Sequence, residues 1–67
     1  MMMKRRDLMK SLKRLARDAQ VAYQTTEGSR HTKVTVGDNV TFVPRHKEIG
    51  EILAEEIMKQ AKGGEDK

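Results

Sequence analysis

The chain has 67 residues, with 14 Lys and Arg against 10 Asp and Glu, one Tyr, one Phe, no Trp and no Cys. A chain of this length buries only about 60% of the surface it exposes when unfolded, which leaves room for one small domain and none for a separate cofactor domain. Without cysteine there is neither a disulfide staple nor a thiolate zinc site, and two histidines are too few for an ordinary structural metal, so the expected setting is a reducing one, the cytoplasm. Residues 1–47 carry 11 Lys and Arg against 4 Asp and Glu, whereas residues 48–67 carry 3 against 6. A polyanion is the natural partner for that positive first part, a solvated face its plain alternative.

Leu8, Met9, Leu12, Leu15, Ala16 and Ala19 recur at the spacing of one helical stripe, while Lys10, Lys13, Arg14 and Arg17 fall on the other faces. This predicts an amphipathic helix over residues 4–19. The basic residues that open the chain meet no apolar run, so neither a signal peptide nor a membrane span is expected, and the apolar stripe lacks the Trp or Phe of a membrane-surface helix.

Residues 20–26 are β-branched and aromatic without helical spacing and read as an edge strand, followed by a turn at Glu27, Gly28 and Ser29 where Gly28 can take a positive φ. Thr32, Val34 and Val36 alternate into a short loop at Gly37, Asp38 and Asn39, and Val40, Thr41, Phe42 and Val43 come back out of it, which is a β-hairpin closed by Pro44. A last helix is expected over residues 47–62, with Ile49, Ile52, Leu53, Ile57 and Ala61 on its apolar stripe, Gly63 and Gly64 at its end and Glu65 to Lys67 as a frayed tail.

The order helix, strand, strand, strand, helix predicts an α+β fold, a three-stranded antiparallel sheet with both helices on one face. The expected domain spans residues 1–67, with a core at about 5–63 and short flexible tails. Strand parity assigns Val34, Val36, Val40 and Phe42 to the helices and His31, Lys33 and Thr35 to solvent.

His31 is the residue that a purely structural account leaves over. An imidazole titrates near neutrality and can pass protons between oxygens, which is what RNA cleavage by its own 2′-hydroxyl requires, and Arg30 and Lys33 could offset charge at the phosphate. Arg45, His46 and Lys47 precede the last expected helix, where unpaired amides favour a phosphate, although Glu48 and Glu51 weaken that field and His46 could simply cap the helix. No glycine-rich phosphate loop, metal-ligand histidine spacing or serine nucleophile set is present.

Gly28, Ser29, Arg30 and His31, followed by an alternating hairpin, then Val43, Pro44, Arg45 and His46 and a closing helix, resemble a HicA-type toxin over nearly the whole chain. The resemblance implies a fold like a double-stranded-RNA-binding domain and a ribosome-independent mRNA interferase neutralised by a HicB-type antitoxin. It places the catalytic role on His31, with Gly28 and Ser29 shaping the loop that presents it, whereas Arg30 stands where relatives often carry a second histidine. Charge adds Arg30, Lys33, Arg45, Lys47, Lys10, Arg14 and Arg17 as expected RNA contacts, and no metal or small-molecule cofactor is called for. The rival expectations are a non-catalytic RNA-binding module on the same scaffold and a module whose only target is a protein.

Overall fold

The structure, a computed structural model, describes residues 2–63. Helix α1 (Arg5–Ala19) buries Leu8, Leu12 and Ala16, with Met9 and Leu15 at the edge of the core. Ala19, expected on this stripe, is exposed. The helix stops at Gln20, whose left-handed backbone (φ 58°) turns the chain while its amide and that of Val21 close the last turn onto Arg17 and Ala16. Strands β2 (Tyr23–Glu27), β3 (His31–Val36) and β4 (Asn39–Pro44) then form an antiparallel sheet in the order β2-β3-β4. The fold is thus the α+β arrangement the hydrophobic pattern predicts, with α1 and α2 (Glu51–Lys62) packed on the sheet.

The hairpin differs from expectation in a way that matters for the site. Its turn has two residues, Gly37 and Asp38, so that Val36 pairs with Asn39, Thr35 with Val40 and Val34 with Thr41. Gly37 sits at φ 62°, a conformation in which a side chain is strained. Because side chains alternate along a strand, a loop one residue shorter than expected moves every residue of β4 to the other face. Thr41 and Val43 therefore point into the core with Thr32, Val34 and Val36, and Val40 and Phe42 lie on the open face. The buried Thr41 hydroxyl is satisfied by donating to Gln60 Oε1 at 2.8 Å.

The closing segment also differs. Residues Glu48–Gly50 form a short strand, β5, which pairs antiparallel with β1 (Met2–Lys4) in a two-stranded ribbon, Met3 opposite Ile49. Regular structure thus precedes the expected core, and the Arg5 amide extends the ribbon by donating to the Lys47 carbonyl at 2.8 Å. Ile49 is buried from this ribbon rather than from a helix. Helix α2 begins only at Glu51, after Gly50, which suits a residue type that weakens helix interiors. Starting there, it buries Ala54, Ile57 and Ala61 and leaves Ile52 and Leu53 exposed, although both were expected in the core. Its last carbonyls are met by the Gly63 amide and by Asn39 Nδ2, which donates to Ala61 O at 3.1 Å, so the hairpin tip caps the helix. Gly63 is the left-handed cap expected there (φ 76°), whereas Gly64 and the tail at Glu65 to Lys67 lie outside the described residues.

Candidate functional site

His31 is the first residue of β3 and is exposed. Its backbone lies between the turn and β4. The Gly28 amide donates to the His31 carbonyl at 2.8 Å across the turn, and Pro44 is its register partner on β4. Gly28 does not use a positive φ, contrary to expectation. It is glycine for a different reason: a Cβ there would lie 2.8 Å from the His31 carbonyl oxygen, closer than a real side chain tolerates. Ser29 and Arg30 complete the turn, both exposed.

Behind the turn runs a polar brace that begins on α1. Arg5 Nε donates to the Pro44 carbonyl at 3.1 Å, and the same guanidinium donates to the buried Thr32 hydroxyl. Thr32 in turn donates to Glu27 Oε1 at 3.0 Å, and that oxygen also accepts Arg45 Nη1 at 2.5 Å. Arg45 further reaches the Gly28 carbonyl at 3.3 Å, and its own amide donates to the Arg30 carbonyl at 3.2 Å. Strand ends on either side of His31 are in this way cross-linked by charge-assisted hydrogen bonds. Glu27, which ends β2 and does not lie in the turn as its sequence suggests, and Thr32 carry no signal of this role until the fold brings Arg5 and Arg45 to them.

The His31 side chain lines an open groove of about 720 Å³ between the free face of β4 and one side of α2, shared with Phe42, Pro44, Leu53, Glu56 and Gln60. The imidazole has no hydrogen-bond partner among the described residues. Lys33 is exposed one alternation further along the same face. Phe42 stands directly across the ladder from Lys33.

Arg45 and Lys47 lie in a different place from the one the sequence suggests. With Lys4, Arg5, Arg6, His46 and Glu48 they line a cleft of about 470 Å³. The helix end at this cleft is the start of α1, which follows Lys4, and not the start of α2; His46 caps neither. The cluster at Lys4, Arg5 and Arg6 became part of the site only because the ribbon folds the first residues onto the segment after β4. Lys10, Arg14 and Arg17 form a third location, a groove with Lys13, Val21 and Tyr23 that shares no lining residue with the other two. The Tyr23 hydroxyl there is held above its ordinary pKa by burial, an effect that the Arg5 charge partly opposes.

Seven expected RNA contacts thus fall into three regions. Arg30 and Lys33 accompany His31, Arg45 and Lys47 belong to the basic cleft, and the α1 cations stand apart. Arg45 joins the first two through its bonds to the turn. Among the described residues no three His, Asp or Glu side chains are grouped so as to hold a metal ion, and no helix is long and apolar enough to cross a membrane. No family model, curated protein or solved structure matches this chain.

Proposed function

We propose that the chain is a small cytoplasmic endoribonuclease of the HicA type, an mRNA interferase that a HicB-type antitoxin neutralises, with His31 as its proton-transfer residue. The observation that carries this reading is the exposed His31 ring on a braced turn, beside an open groove. A histidine needed only for packing would be enclosed. In the proposed reaction the imidazole takes the proton of a 2′-hydroxyl, the 2′-oxygen bonds to phosphorus, and the P–O5′ bond breaks as the 5′-oxygen takes a proton from solvent water, the imidazolium then returning its own proton to solvent. Lys33 and Arg30 supply positive charge near the phosphate. A single positioned proton-transfer group contributes about 10² to 10⁴ in rate, so a slow enzyme is expected.

The test is cleavage of an mRNA by purified protein in EDTA, repeated with His31→Ala. Loss of cutting with an unchanged circular dichroism spectrum and melting temperature is the expected result. Cleavage that persists in the variant removes His31 from the mechanism.

One observation favours a second reading, non-catalytic RNA binding. The cleft that gathers Lys4, Arg5, Arg6, Arg45 and Lys47 does not include His31. Under that reading His31→Ala leaves RNA affinity intact and no cutting is seen with either protein, while charge reversal in the cleft weakens binding and flattens its salt dependence.

A further inference from the structure

Phe42 is one of two aromatic residues in the chain, and folding does not hide it: 54% of its surface stays exposed. It is not an isolated apolar residue. Ile52 and Leu53 of α2 are also exposed and line the same groove, so that three large side chains which core packing ordinarily claims are gathered on one open surface. A patch of this kind marks a binding site more often than chance. Its neighbours indicate the ligand. The ring is cross-strand from Lys33, in a groove that also holds His31, and its polar rim is Glu56 and Gln60. An exposed aromatic face with a cation at its side on a sheet surface is the arrangement that receives an unpaired base, the ring stacking while the cation meets the adjoining phosphate.

We infer that Phe42 is a stacking platform for a base next to the phosphodiester presented to His31, so that the groove accepts single-stranded and not paired RNA. This rests on RNA being the substrate of the His31 site. It goes beyond that reading by assigning the sheet face, a residue and the strandedness of the ligand. A base inside a duplex has both faces occupied by its neighbours, and it can reach Phe42 only after it has been unstacked. Ile52 and Leu53 then form the far wall against which the base edge rests.

The chain contains no Trp, so Phe42→Trp installs a single fluorescent reporter at the platform. In a His31→Gln background, to prevent turnover, a short single-stranded RNA is expected to quench this emission saturably, while the same strand annealed to its complement quenches far less. Phe42→Leu keeps the site apolar and should weaken single-strand affinity roughly 5- to 150-fold, with the salt dependence of binding unchanged, because stacking and not phosphate contact has been lost. RNA that binds by anisotropy without quenching, together with Phe42→Leu affinity equal to wild type, overturns the platform and leaves the nuclease reading untouched. Quenching by single strands with no cleavage by the wild-type chain has the opposite meaning: the platform stands and the nuclease reading falls. Absence of any RNA binding at low salt overturns both and leaves the patch to a protein partner.

Discussion

Glu27 and Arg45 meet at 2.5 Å across the turn that presents His31, one from the end of β2 and the other from the segment just after β4. Both side chains are well exposed, and an ion pair in that setting contributes only about 0–1 kcal/mol. Its importance is positional. The same Glu27 oxygen accepts the buried Thr32 hydroxyl, so the pair ties the surface of the turn to the interior. Glu27→Ala is expected to destabilise the fold by about 1–2 kcal/mol, through a lost hydrogen bond and an unmatched Thr32 donor. In a domain of this size that lowers the melting temperature by roughly 4–16 °C. On the proposed nuclease reading, RNA cleavage assayed well below the new midpoint should fall further than the change in folded fraction explains. Equal loss of both would mean that the brace stabilises without orienting.

Gly28→Ala should be more damaging than its chemistry suggests. The added methyl would come within 2.8 Å of the His31 carbonyl oxygen, a backbone atom that can yield only by moving His31 itself. Gly50→Ala is the control, since a Cβ at Gly50 meets nothing within 4 Å. On the proposed nuclease reading, cleavage by the Gly28 variant is expected to drop at least tenfold, about the effect of 1.4 kcal/mol on the barrier, with the Gly50 variant matching wild type. Comparable activities in the two would show that the turn tolerates displacement.

Ile49 and Ile52 provide a direct test of the ribbon. A continuous helix over residues 47–62 would put both on its apolar stripe, but the structure buries Ile49 to 2% exposure and leaves Ile52 at 78%. Ile49→Ala is therefore expected to cost about 2–5 kcal/mol, and Ile52→Ala less than about 0.5 kcal/mol. Chemical denaturation of the two variants reads the difference directly.

Tyr23 makes the stability sensitive to alkali. Burial raises its pKa above the ordinary 10.0, so the folded state holds this proton more tightly than the unfolded chain does. That contribution is complete below the unfolded value and disappears as pH rises through the folded one. Stability should decline above about pH 10, and Tyr23→Phe should flatten the decline. A melting series from pH 8 to 11 on both proteins checks this.

Local pattern was enough for α1, whose stripe of Leu8, Leu12 and Ala16 needs only the helical period, and for the alternation of Thr32, Val34 and Val36 in β3. It was not enough where a distant partner decides. Thr41 takes a core position because Gln60, on another element, satisfies its hydroxyl, and Phe42 goes to the surface as a result of a turn one residue shorter than the sequence suggests. Ile49 has helical spacing to Leu53 and Ile57, but β1 pairs with it as a strand from the other end of the chain. The site divides in the same way. His31 and its turn are contiguous and could be recognised, whereas the cleft depends on Lys4 to Arg6 meeting Arg45 and Lys47, a juxtaposition made only by the fold.

That ribbon joins segments 44–48 residues apart along the chain and has three register pairs among the described residues. Closing so wide a loop costs entropy, and a short two-stranded ladder offers few backbone hydrogen bonds against it, so the ribbon is expected to open before the three-stranded sheet does. Amide deuteration should therefore advance through Met3, Arg5 and Ile49 while the Val34 and Val43 amides are still protected. Each opening would also separate Lys4 to Arg6 from Arg45 and Lys47, so the fraction of time the ribbon is closed scales the affinity with which this cleft can hold a polyanion.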